Sequence, residues 1–128
     1  MGTLYDQSSQ GQCYHDEHLS VDFRQQRAVL DSRALTLTRK EYDLLALLVQ
    51  HAGEIVPREA LLMRIWGYGA DIRTRTLDVH IRRLRKKLGT LADQYIETIF
   101  GIGYRFQPFH APRFRQPEAD RPAFAVSA

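Results

Sequence analysis

The segment RTRTLDVHIRRLRKKLG, Arg73 to Gly89, suits one kind of secondary structure and demands two different neighbours for it. At about 100° of helical rotation per residue from Leu77, the side chains of Ile81, Leu84 and Leu88 fall within about 40° of it, an apolar stripe that must pack on other elements. The opposite side carries Arg75 at about 160°, Lys86 at about 180°, Val79 at about 200°, Arg83 at about 240° and Thr76 at about 260°, with Arg82 and Arg85 on its flanks. Seven basic residues against one acid, Asp78, give the segment a net +6, whereas the whole chain is only +3, so everything else sums to −3. Positive charge gathered on one helix is the footprint of a polyanion partner. A purely solvated face has no need of a valine and a threonine among its arginines. An arginine bonds bidentately to guanine, and Thr or Val meets a thymine methyl, so this mixture suits the major groove of DNA.

The rest of the sequence supplies what the apolar stripe packs on. LSVDF (Leu19–Phe23), AVLD (Ala28–Asp31) and ALTL (Ala34–Leu37) are short apolar stretches separated by RQQR and DSR, the pattern of antiparallel strands with tight turns, and GQCYH (Gly11–His15) adds a further candidate. LTRKEYDLLALLVQHAG then opens with a capping box, Thr38 with Glu41, has Leu37 and Tyr42 in staple positions, and ends at Gly53, which predicts a helix. VPREALLMRIWG, with Pro57 near its start and Gly67 after its end, predicts a second, shorter helix. After the cationic helix, YIETIFGIGYRF (Tyr95–Phe106) places two β-branched and aromatic runs around Gly101 and Gly103, a β-hairpin. Strands, three helices and a closing hairpin make an α+β domain, a winged helix-turn-helix whose third helix is the cationic one.

At 128 residues with 44% hydrophobic content, one domain with one modest core is expected. The layout predicted is a flexible segment over 1–10, the domain over 11–107, and a disordered tail over 108–128, where four prolines fall with no steady period. No apolar run approaches the ~20 residues of a membrane span, and the first residues lack the features of a secretion signal, so a soluble cytoplasmic protein without membrane contact is expected. The single cysteine, Cys13, excludes an intrachain disulfide and fits a reducing compartment. CYHDEH (Cys13–His18) resembles a metal cluster in composition, but its spacing matches no standard zinc pattern, and a polar strand end with its turn is the better reading. GIGY is too short for a nucleotide loop, and no nucleophile stands with a base and an orienting group, so neither a cofactor nor enzymatic activity is expected.

The stretches LTRKEYDLLALLVQHAGEIVPREALLMRIWG, RTLDVHIRRLRKKL and IETIFGIGYRF together resemble the DNA-binding domain of the OmpR/PhoB family of bacterial two-component response regulators, over nearly all of residues 11–107. The resemblance implies a four-stranded N-terminal antiparallel sheet, three helices and a C-terminal hairpin wing. It places Arg83, Val79 and Thr76 against base edges. Arg75, His80, Arg82, Arg85 and Trp66 take positions that meet phosphate or line the approach to it, although Trp66 equally suits a place closing the core between helices. Thr98 and Tyr104 match hairpin residues near the DNA backbone, and Gly67–Arg73 matches the loop that touches RNA polymerase in that family. Asp78 would repel phosphate, and its neighbours on the helix suggest that it orients Arg75 or Arg82. The wing departs from the family pattern at Phe100, where an arginine commonly precedes the first glycine, so contact there falls to an aromatic ring. The receiver domain with its phosphorylatable aspartate has no counterpart in the sequence, which fits a stand-alone regulator and a part of a longer chain alike.

Two functions of different class follow. One is a sequence-specific regulator that binds double-stranded DNA, associating with further copies on direct repeats. The alternative is a winged-helix module that binds an acidic protein such as polymerase without reading bases. The Val79 and Arg83 pairing favours bases, since an acidic protein surface gives no reason for it.

Overall fold

The computed structural model describes residues 12–67 and 74–109. The expectations for residues 1–10, for 68–73 of the loop and for 110–128 lie outside these.

The chain opens with a four-stranded antiparallel meander, β1 (Cys13–His15), β2 (Leu19–Asp22), β3 (Arg27–Leu30) and β4 (Arg33–Ala34), in that spatial order. β2 alternates as its sequence demands: Leu19 and Val21 are buried while Ser20 and Asp22 are not. Leu30 pairs with Arg33, leaving the two-residue turn Asp31-Ser32, both with positive φ, the conformation that matches strand twist in a tight hairpin. β4 is shorter than the four residues expected: the Leu35 N–H still donates to the Ala28 carbonyl at 2.9 Å, and Leu35 and Leu37 pack partly buried against the core.

Helix α1 (Arg39–Gln50) begins with the expected capping box: Thr38 Oγ1 accepts from the Glu41 N–H, and Glu41 Oε1 accepts from the Thr38 N–H. It is the central helix, with Leu44, Leu45 and Leu48 fully buried. Strand β5 (Ile55–Pro57) follows, then α2 (Arg58–Trp66), α3 (Thr74–Leu88), a 3₁₀ turn (Gly89–Leu91), a one-turn helix α4 (Ala92–Tyr95), and the hairpin β6 (Ile96–Ile99) and β7 (Gly103–Phe106). Neither β5 nor α4 was expected from the sequence. β5 takes Val56 and Pro57, read as the start of the second helix, together with Ile55, and pairs the three with Tyr104, Gly103 and Arg105 respectively, so that the hairpin becomes a three-stranded sheet in the order β5-β7-β6. The approach is so close that a Cβ on Gly103 would stand 2.0 Å from the Val56 carbonyl oxygen. Only glycine fits there.

The core lies between the two sheets and the helices: Leu19 and Val21 from the meander, Leu61 from α2, the stripe Leu77, Ile81, Leu84 and Leu88 from α3, and Tyr95 and Phe106, whose rings stack 5.4 Å apart. Packing extends past the predicted boundary at 107. Phe109 rests edge-on against His18 and near Tyr95, and its N–H donates to Asp16.

Candidate nucleic-acid interface

The four leucine and isoleucine positions of α3 are at most 1% exposed, so the helix is fixed by its apolar stripe and turns the other side outward. On that side Arg75, Arg82, Arg83 and Lys86 are exposed, and none has a hydrogen-bond or ion-pair partner among the described residues. Thr76, Val79 and His80 are half-buried beside them, so Val79 is less open than expected. Four cations along one helix, unpaired among the described residues, give up no contact with those residues when they meet an anion.

The remaining cations of the helix are engaged within the fold. Arg85 Nη2 donates to the Ile96 carbonyl at 2.9 Å and to Thr98 Oγ1 at 2.7 Å, and its guanidinium lies 5.8 Å from the centre of the Tyr104 ring. Arg85 Nε is buried without a partner among the described residues. Lys87 reaches Glu41 Oε1 at 2.5 Å. Arg85, Thr98 and Tyr104, expected at phosphate and at the DNA backbone, thus make internal contacts that join α3 to the hairpin. Arg85 sits at about 80° on the helical wheel, at the edge of the core stripe, where the hairpin covers it. Tyr104 is only 5% exposed, and its hydroxyl donates inward to Asp78 Oδ1 at 3.0 Å.

Asp78 is also the partner of Arg58, whose Nη2 donates to Oδ1 at 2.7 Å, rather than of Arg75 or Arg82. Arg58, on the first turn of α2, lies over the Tyr104 ring at 5.9 Å. The Asp78 hydrogen bond holds the Arg58 pKa above its ordinary value. Burial, and then the Asp78 carboxylate, raises the Tyr104 phenol, which stays protonated as the donor that the geometry requires. The sequence reading missed Arg58. A signal was present: an arginine in the first turn opposes the positive end of the helix dipole and so calls for a carboxylate nearby. Arg58, Asp78, Tyr104, Arg85 and Thr98 thus tie the start of α2, the middle of α3 and both strands of the hairpin into one unit.

Trp66 settles into the corner between helices. Its ring meets His80 edge-on at 5.0 Å, and Lys40 Nζ lies 5.7 Å from its centre while donating to the Ile65 carbonyl at 2.7 Å. His80 Nδ1 is 2.8 Å from the Thr76 carbonyl, which can only accept, so Nδ1 carries the proton. Phe100 stands at the hairpin tip, 89% exposed. CYHDEH forms a strand end and turn: Asp16 accepts from the Tyr14 and Tyr95 hydroxyls and from the N–H groups of His18 and Leu19.

The family described as "Transcriptional regulatory protein, C terminal" matches residues 32–106. The response regulator DrrB of Thermotoga maritima, an OmpR/PhoB homologue, superposes with a TM-score of 0.69 at 32% identity, over 75% of this chain and 44% of its own. The chain belongs to the OmpR/PhoB family. Its OmpR/PhoB winged helix consists of the N-terminal meander, the trihelical set α1 to α3 and the β6–β7 wing. The transcriptional regulatory protein SrrA of Staphylococcus aureus is 36% identical over 94 residues, which are 71% of this chain and 39% of SrrA, so the chain spans about two fifths of the curated relatives it matches. The DNA-binding domain of Klebsiella pneumoniae RstA, solved in complex with the RstA box, superposes with a TM-score of 0.67 at 33% identity over 76% of this chain and 98% of that domain. The likeness to OmpR/PhoB regulators therefore covers the effector end of those proteins.

Proposed function

We propose that this domain is a transcription regulator that binds double-stranded DNA sequence-specifically, with α3 in the major groove and the wing braced on the adjacent duplex. The observation that carries the reading is the outward side of α3: Arg75, Arg82, Arg83 and Lys86 exposed and unpaired among the described residues, with Thr76 and Val79 between them. Arg83, Val79 and Thr76 read base edges, while Arg75, Arg82 and His80 meet phosphate and fix the register without reading sequence. Trp66 contributes by holding His80. Membership of the family and the DNA complex of the RstA domain support the same assignment. Copies bind in tandem on direct repeats about one helical turn, ~10 bp, apart, which places them on one side of the duplex. The family resemblance supports this arrangement and a polymerase contact through the loop 67–73.

The test is selection of bound fragments from random duplex DNA, followed by titration of the selected site against salt. A defined motif is expected, with a log–log slope of about −4 to −5 for roughly five neutralised phosphates. Fragments without a shared motif, or a slope near zero, would remove base reading and leave a protein-binding module.

A further inference from the structure

The wing tip is the least explained surface of the fold. Ile99, Phe100, Gly101, Ile102 and Gly103 carry no charged or hydrogen-bonding side chain, although they adjoin the most cationic helix of the chain. Phe100 is 89% and Ile102 49% exposed. The tip is stiff. The Ile102 N–H donates to the Ile99 carbonyl at 2.9 Å, with Gly101 at φ +79°, as the third position of a type II turn requires. The Ile102 carbonyl accepts from the Arg58 N–H at 2.9 Å, which clips the tip to the start of α2, and Gly103 is pressed onto β5. Below the tip, Thr98 is held by Arg85 and Tyr104 by Asp78, so both strands are fixed to α3 itself. The apolar point therefore keeps a set position relative to the outward arginines.

A tip meant for phosphate would carry donors. A duplex covers an aromatic ring and a branched aliphatic side chain completely at one kind of place, between base pairs opened from the minor groove, where apolar wedges unstack a step and kink the helix. Burying a phenylalanine ring yields a gain of the same order as the cost of unstacking one step. The balance is then decided by how easily the step opens, and pyrimidine–purine steps open most easily.

We propose that Phe100, backed by Ile102, is an apolar wedge that enters the minor groove beside the major-groove site, partly unstacks one base step and bends the DNA. It thereby adds a preference for a TA or CA/TG step at a fixed distance from the bases read by α3. The proposal rests on the DNA-binding reading above.

The experiment uses the full chain and the selected duplex with 2-aminopurine placed in turn at each flanking step, together with end-to-end energy transfer to report bending. Binding should raise the fluorescence at one step and shorten the duplex. Phe100→Ala should abolish both signals, weaken binding to sites with TA at that step about tenfold, the scale of one mismatched pair, and leave the major-groove motif unchanged. Its melting temperature should match the parent chain, because the removed ring is almost wholly exposed, and Phe100→Leu should retain part of the unstacking. Tight binding by the parent chain with no fluorescence change at any step, on straight DNA, would overturn the wedge while leaving DNA reading intact. Failure to select any duplex would overturn both. Loss of self-association in sedimentation by Phe100→Ala, with affinity for an isolated half-site unaltered, would overturn the wedge and assign the tip to a second copy of the chain.

Discussion

Arg83 and Arg85 stand two positions apart on α3, yet about 160° separates them around its axis, and the fold uses them in opposite ways. Arg83 has no partner among the described residues, whereas Arg85 holds two acceptors on β6. Replacing Arg83 by Ala should cost about 1–3 kcal/mol on the selected site and relax the preference at one base position, while changing stability by no more than about 0.5 kcal/mol. Arg82→Ala should weaken all sites alike. Arg85→Ala removes a charged donor from the Ile96 carbonyl and Thr98. It should cost about 1–3 kcal/mol of folding stability. For a domain of this size that is a fall of roughly 5–20 °C in melting temperature. Thermal melts run beside the titrations check this division; equal melting of the Arg83 and Arg85 variants would undo it. The Arg58–Asp78 pair acts differently again. With side chains 26% and 46% exposed it adds less than about 1 kcal/mol, and it joins the start of α2 to the middle of α3. The arginines that face outward were legible from helical rotation alone. The roles of Arg85 and Asp78 were not, because their partners come from β6, β7 and α2, and no periodicity within one helix carries that information.

Between elements, the capping residue Glu41 does a second job: it is 1% exposed on α1 and takes Lys87 from the last turn of α3. Burial pushes its pKa up, but the Lys87 hydrogen bond and those of Thr38 outweigh it and leave the carboxyl below its ordinary 4.5. A carboxyl whose folded pKa lies below its unfolded one contributes stability that is fully present above the unfolded value and is lost as pH falls through the folded value. Asp16 is held low in the same way, so the domain should lose stability as pH falls below about 5. Glu41→Gln should melt lower than the parent chain at pH 7, and the gap should close toward pH 3. Melting temperatures across pH 3–7 measure this, and two parallel curves would show that Glu41 has no part in it. The capping box was readable because its four groups lie within one turn, as was the hairpin from its β-branched runs around glycines. β5 was not readable: of its three residues only Val56 is buried, and its strand character comes from pairing with β7, distant in the sequence.

Across the whole molecule, Asp16 brings together regions far apart in the chain. It accepts from the Tyr95 hydroxyl at 2.7 Å and from the Phe109 N–H at 3.2 Å, across separations of 79 and 93 residues. Phe109 adds its ring to His18 at a centroid distance of 4.5 Å. A domain ending at 107 was expected because the prolines of 108–128 follow no steady period and nothing local marks Phe109 as packed; Asp16 and His18, which it meets, lie at the other end of the sequence. The ring is half-buried, so its docking should contribute about 1–2 kcal/mol. A chain ended at Gln107 should therefore melt roughly 5–15 °C below one ended at Phe109. The two should bind the selected duplex with the same affinity when both are folded, because Phe109 meets Asp16, His18 and Tyr95, none of which lies on α3 or at the wing tip. Equal melting temperatures would show that the Phe109 contact contributes nothing, and a loss of DNA affinity in the shorter chain at a temperature where it is fully folded would mean that the meander helps to set the position of α3.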